Sequence, residues 1–244
     1  RAAGLYIQGG APRLENLRIR NNESDADAAA AAGMYCENCS AALQNVVFDS
    51  NVGRLRSVGG LVVESEIEGE ATPSLANVQF RNNTAEEIGG GALLIAQQNS
   101  TLDATLRNLT FESNEAGNSG AGMVAAAVGS SDATAIFDIA NVVFVGNEIT
   151  GTGSANPPAD AEGLLVFTEN GARVDAEIAH GTWRATDGTA ALVGSAINSS
   201  SSLTINNSIL AGSEASIQTA DSDAKAATTI NSSLVENGWT GSGS

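Results

Sequence analysis

The chain has 244 residues, enough for one large domain or two small ones at roughly 150 residues each, and 11 basic against 28 acidic side chains give a formal net charge of −17. A nucleic-acid groove or an anchor on anionic lipid needs clustered Lys and Arg, so neither partner is expected. Lys225 is the only lysine and His180 the only histidine, which leaves Schiff-base chemistry, multi-histidine metal centres and most nucleophilic triads with one candidate residue each. Charged residues are 16% and hydrophobic ones 42%, a balance that argues against disorder.

Taken in chain order, the first ten residues, RAAGLYIQGG, lack the basic start and long apolar middle of a signal peptide. No segment reaches the roughly 20 apolar residues that cross a bilayer. A strand is predicted at GLYI, and another at NLRIR, where alternation puts Leu17 and Ile19 on one face and Arg18 and Arg20 on the other. Asp25 and Asp27 in SDAD place carboxylates at alternate loop positions, as Asp221 and Asp223 do further on. This is a weak calcium-like pattern, since neither pair supplies the six to eight oxygens that calcium takes. The alanine tract Ala28 to Ala32 is the one place where a short helical excursion is expected. Cys36 and Cys39 in YCENCS are too few for a four-thiolate zinc site and lack the βαβ setting of a thioredoxin-like motif, which leaves a local disulfide or two idle thiols.

From here the chain repeats. Asparagine, two residues and a large apolar side chain recur as NLRI at Asn16, NVVF at Asn45, NVQF at Asn77, NLTF at Asn108 and NVVF at Asn141. Three looser copies follow: HGTW at His180, NNSI at Asn206 and NSSL at Asn231. Their apolar members are Ile19, Phe48, Phe80, Phe111, Phe144, Trp183, Ile209 and Leu234. Between them lies a second signature, glycine before an apolar run, led by Leu5, Met34, Leu61, Leu93, Met123 and Leu164. Short alternating segments bounded by Gly, Asn and Ser are strands separated by turns, and a strand repeat of this period without a helical stripe is one coil of a solenoid. The expectation is an all-β, single-stranded right-handed parallel β-helix of seven to eight coils over residues 1–244. It would be part of a longer solenoid or a unit that stacks end to end, with 151–163, GTGSANPPADAEG, as a loop insertion.

Stacked coils place equivalent residues about 4.8 Å apart, so the asparagines are expected to form side-chain amide ladders. One would run through Asn16, Asn45, Asn77, Asn108, Asn141, Asn206 and Asn231, with His180 as a structural substitute, and satisfy groups that would be costly if buried unpaired. A second would run through Asn22, Asn51, Asn83, Asn114 and Asn147 at the next corner. One residue past the apolar position, Arg20, Asp49, Arg81, Glu112, Val145 and Arg184 form an outward column whose alternating signs suggest surface ion pairs. The glycosylation-like triplets starting at Asn108 and Asn206 fall on ladder residues and are discounted.

FDSN, FRNN, FESN and FVGN, at residues 48–51, 80–83, 111–114 and 144–147, alternate with GGL, GGGAL and GAGM. The alternation resembles the FxxN and GGA repeats of chlamydial polymorphic outer-membrane proteins and related bacterial right-handed β-helix proteins of the cell surface. The later HGTWRATDGTA, NNSILAGS and NSSLVENG resemble carboxy-proximal coils of secreted β-helix repeat proteins. The resemblance covers nearly the whole chain and implies an extracellular bacterial passenger or adhesin-like structural solenoid, stacking on itself or on the rest of a longer chain, with cell-surface or matrix polysaccharide as a further partner. Because a fold alone does not assign a task, a carbohydrate-active or polysaccharide-binding β-helix is the alternative. Its best acids are Glu37 and Glu64, at equivalent positions of adjacent coils and about 5 Å apart, near a retaining-glycosidase separation. No basic residue joins them in that column, and no catalytic, cofactor or metal residue is assigned.

Overall fold

The protein is described by a computed structural model, covering residues 4–26, 30–151, 161–184, 190–197, 199–211, 217–220 and 225–235. It is an all-β parallel solenoid, with no helix among the described residues. The first face stacks eight strands in the order Leu5–Gln8, Met34–Glu37, Leu61–Ser65, Ala92–Gln97, Met123–Val128, Ala161–Glu169, Ala190–Ile197 and Ile217–Ala220. The second, a 14-stranded sheet, stacks Arg13–Glu15, Ala42–Gln44, Ser74–Arg81, Thr101–Glu112, Thr134–Val145, Arg173–Ala179, Ser200–Asn206 and Lys225–Asn231, with short companion strands beside them. A third, short sheet holds five strands among the described residues, from Glu23–Ser24 to Glu148–Ile149. The solenoid amounts to about six turns, slightly fewer than the expected seven to eight. Ala30–Ala31, expected as a helical excursion, is a strand paired with Ser57–Val58; parallel pairing with the next coil prevails over alanine's helix propensity. Most of the loop expected at 151–163 lies outside the described residues, and its last members, from Ala161, already belong to a first-face strand.

Inside the coil, Phe48, Phe80, Phe111 and Phe144 stack face over face at centroid separations of 4.9, 4.7 and 4.8 Å, and Trp183 continues the column at 5.6 Å. The glycine signature exists because successive coils approach closely there, with this column crowding the same positions. A Cβ on Gly91 would lie 2.4 Å from the Gly122 carbonyl oxygen and 2.9 Å from the Phe111 ring, and Gly33, Gly60 and Gly122 are equally crowded. Trp183 fits where its predecessors are phenylalanine because Gly181 stands where they have Val46, Val78, Leu109 and Val142; a Cβ there would come within 2.2 Å of the indole.

FxxN is explained by the turn after each phenylalanine. Its third position, Ser50, Asn82, Ser113 or Gly146, is left-handed, with φ between 52° and 59°, and this turns the following asparagine into the coil. Asn51, Asn83 and Asn114 are fully buried. Each Nδ2 donates once to the Oδ1 of the next asparagine, at 2.9 to 3.0 Å, and once to a carbonyl of the preceding coil: Asn51 to Ile19, Asn83 to Phe48, Asn114 to Phe80. Each Oδ1 also accepts the preceding asparagine's backbone N–H at 3.1 to 3.2 Å. Both donors and both lone pairs are therefore used.

The first expected ladder is also present, but it is exposed rather than buried. Asn45, Asn77, Asn108 and Asn141 each donate from Nδ2 to the Oδ1 of the preceding copy at 2.9 to 3.2 Å. These four and Asn16 lie between 54° and 56° in φ, so asparagine is selected for a left-handed corner that it tolerates unusually well. His180 takes the same corner, at 59°. The last two copies are shifted by one residue from the expected alignment. Trp183 pairs with Leu210, which pairs with Val235, while Ile209 and Leu234 are 47% and 67% exposed. Consecutive apolar residues make either choice of inward side chain compatible with the sequence, and the corner falls on Asn207 and Ser232. Asn206 and Asn231 still pair, at 3.0 Å, but one position before it.

The Asn83→Leu variant keeps the branched shape and removes an amide on which both neighbours depend. It is expected to lose at least about 3 kcal/mol in urea unfolding, because several buried groups lose partners at roughly 1–3 kcal/mol each, whereas Asn77→Gly should cost under about 1 kcal/mol. Gly181→Val should be destabilising by more than about 2 kcal/mol, and Trp183→Phe by about 1–2 kcal/mol. The double variant, which restores the pattern of the earlier coils, should recover most of the loss in a double-mutant cycle.

Candidate functional site

The two long faces differ outwardly. On the second, burial alternates through Thr101–Glu112 and Thr134–Val145 except at the corners Arg107–Asn108 and Ala140–Asn141, as expected for a sheet with one wet side. On the first, Leu61–Ser65 is buried at every position and Met123–Val128 at all but its last. Its inward side chains join the phenylalanine core. Tyr35, Val62, Leu93, Val124 and Leu165 point the other way, stack in one column by strand register, and form a second apolar cluster outside the coil with Ala31, Val58 and Phe167.

A groove of about 490 Å³ opens along this outer cluster. Val62, Leu93 and Ile95 form its floor, and Ala30, Val58 and Ile88 belong to the segment that enters the first face from the third. The polar lining is Arg56, Glu64, Glu87, Gln97 and Glu169. Arg56 and Glu87 are exposed, Glu169 is half-buried and Glu64 is buried. A second, shallower depression of about 290 Å³ lies on the outside of the second face, among Ile136, Asp138, Asp175, Glu177, Ser202 and Thr204.

Glu37 and Glu64 are brought together as expected, since strand register makes them direct neighbours on adjacent rungs. Both are buried. Glu37 accepts from the Tyr6 hydroxyl and, at 3.2 Å, from Gln8 Nε2, and Glu64 accepts from Gln97 Nε2. Their column continues through Ile95, Ala126 and Phe167. Cys36 and Cys39 form a disulfide, with Cα atoms 5.6 Å apart and both residues fully buried. Of the calcium candidates, Asp25 is exposed, while Asp27, Asp221 and Asp223 lie outside the described residues. No group of three or more metal-ligating side chains occurs among the described residues.

The expected outward charge column is corrected at Asp49. Register does align Arg20, Asp49, Arg81 and Glu112, but the Asp49 side chain is only 10% exposed and its first partner is Arg18 rather than Arg20. Arg18 reaches Asp49 diagonally, from two residues before the column, while the column itself supplies Arg81. Arg81 Nε adds an ion pair at 3.2 Å and Asn82 Nδ2 a longer contact at 3.4 Å. The Arg18 hydrogen bond, with help from Asn82 and both guanidinium charges, outweighs desolvation and holds the Asp49 carboxyl down at about 2.

The groove is the surface feature that the repeat analysis missed. Its signal was present in GLVV, GALLI and GLLVF, unbroken apolar runs where a half-wet strand would alternate. Comparison with protein-family models, curated proteins and solved structures gives no match to the chain.

A depressed carboxyl stabilises the fold above its unfolded pKa and loses that contribution as pH falls through its folded value. The wild type should therefore lose about 1–2 kcal/mol through Asp49 between pH 4 and pH 2, a component that Asp49→Asn removes. Parallel urea titrations of the two proteins across that window check this.

Proposed function

We propose that the chain is an extracellular structural and adhesive β-solenoid element of a bacterial cell surface. The observation that carries this reading is the stacking itself: Phe48 to Trp183, the glycine column and both amide ladders are spent on joining one rung to the next. Such a chain is a rod that presents long, flat faces. The buried Cys36–Cys39 disulfide suits an oxidising compartment outside the cytosol, and a net charge of −17 keeps a rod of this shape well solvated and self-repelling along its sides. The FxxN and GGA alternation, similar to that of bacterial surface β-helix proteins, supports the same placement.

A further rung, from a longer chain or from a second copy, can be added through the parallel pairing that already joins one coil to the next. Head-to-tail growth into a filament is thus part of the proposal. A polysaccharide-binding role is the second reading. It draws on the shallow second-face depression, where Asp138, Asp175, Glu177, Ser202 and Thr204 offer side-chain groups suited to sugar hydroxyls.

Protease treatment of intact producing cells should release fragments of the chain and leave a cytosolic marker whole. Detection only after lysis would overturn the surface assignment. Negative-stain microscopy and ultracentrifugation at high protein concentration should show end-to-end species, and a strictly monomeric protein without filaments would remove the filament.

A further inference from the structure

On the second face the outward side chains form straight columns, because each rung adds a strand in the same register. Thr105, Asp138, Glu177 and Thr204 make one column, and Asp103, Ile136, Asp175 and Ser202 the next. The depression of about 290 Å³ is the trough between them. Ile136, Asp175 and Ser202 line one side and Asp138, Glu177 and Thr204 the other, while Phe137 and Ala176, whose side chains face the core, contribute the floor. The trough therefore runs parallel to the solenoid axis and repeats its lining at each rung, about every 4.8 Å.

Its carboxylates are held in place by partners. Arg107 pairs with Asp138 and Arg173 with Asp175, the latter at 2.6 Å, and Asn206 Nδ2 donates to Glu177 at 3.2 Å. Three carboxylates against two guanidiniums leave little net charge, so the trough does not select a polymer by its sign. Each carboxylate is instead a fixed acceptor. The partners sit on Asp138 Oδ2, Asp175 Oδ2 and Glu177 Oε1, and the second oxygen of each has no hydrogen bond to a described residue. Ser202 and Thr204 add hydroxyls that donate or accept. Such a lining suits a ligand whose own groups do both, which is the property of sugar hydroxyls. An extended peptide needs pockets for its side chains, and a trough floored by backbone supplies none.

We propose that this trough binds a neutral, extended, β-linked polysaccharide that lies parallel to the solenoid axis with one sugar ring to each rung. It rests on the polysaccharide-binding reading and names the class and direction of the ligand. An extended β-linked chain advances by close to one rung per sugar, so equivalent hydroxyls meet the same two columns on successive rungs. A coiling α-linked chain falls out of step. Hydroxyls donate to Asp138, Asp175 and Glu177 and exchange hydrogen bonds with Ser202 and Thr204. The C–H face of a ring rests on Ile136, which is 40% exposed.

The test is isothermal titration calorimetry of the whole chain with four hexasaccharides: cellohexaose and N-acetylchitohexaose, both neutral and extended, α-linked maltohexaose, and an anionic hyaluronan fragment. At least one of the extended neutral pair should bind tenfold or more tightly than maltohexaose and the hyaluronan fragment, with an affinity nearly independent of salt. Asp175→Ala and Glu177→Ala should each weaken that binding about fivefold with the circular dichroism spectrum unchanged. Equal binding of maltohexaose, preference for the hyaluronan fragment, or full affinity in both variants would overturn the proposal and leave the wider polysaccharide reading standing. So would a dimer in ultracentrifugation that Asp175→Ala dissolves, since a second copy would then occupy the trough. If neither variant folds, the comparison of the four hexasaccharides still decides. Binding by none of the four overturns the proposal, and the polysaccharide reading falls with it only if the chain also fails to sediment with insoluble glycans. Surface display stands or falls separately, on protease treatment of intact cells.

Discussion

A buried side-chain amide has two donors and two lone pairs to satisfy, and in this protein that requirement is met by another copy of itself one rung away together with backbone groups of the adjacent coils. Asn51, Asn83 and Asn114 each use both N–H groups and both acceptor positions, and the partners are supplied by coils on both sides. A coil cannot rotate or slip along the stack without breaking bonds to two neighbours at once. The ladder therefore sets register. The phenylalanine stack and the glycine column follow from that register, because identical residues must then lie above one another.

Rung translation also explains why departures from the repeat come in compensated pairs. Trp183 brings extra volume into the aromatic column, and Gly181 removes volume from the adjacent one. Beyond Gly181 that adjacent column becomes Ser208 and Ser233, whose hydroxyls accept the preceding backbone N–H at 3.0 Å and donate to the Asn206 and Asn231 carbonyls at 2.8 Å. An inward polar residue is tolerated because its hydrogen bonds close within two adjacent rungs. The outside of the first face follows the same translation, since Tyr35, Val62, Leu93, Val124 and Leu165 stack there as a second buried apolar column.

Much of the architecture was legible in the primary structure, because a solenoid repeats its constraints. Five strong copies of the asparagine signature placed the aromatic column and located both ladders, and the alternation in TLDATLRNLTFE marked a sheet with one wet side. The candidate site was less legible. Glu37 and Glu64 were expected to be neighbours because they lie in equivalent coils, and they are. Arg56, Glu87 and Glu169 come from different places in their coils, on segments that carry no repeated signature, so nothing in their spacing joined them to Val62 and Leu93.

The sequence by itself determined the repeat, the identity of the inward aromatic column and the residues available for ladders, since these depend on local alternation and on rung-to-rung identity. Tertiary structure decided what local pattern leaves degenerate: which of Ile209 and Leu210 turns inward, which asparagine ladder is buried, and that Asp49 answers to Arg18. It also decided which outward side chains meet around the groove. The physical reason is that hydrogen-bond saturation and close packing are tested between coils, where residues some 30 positions apart must fit together, and only the assembled stack shows which of the locally allowed choices does so.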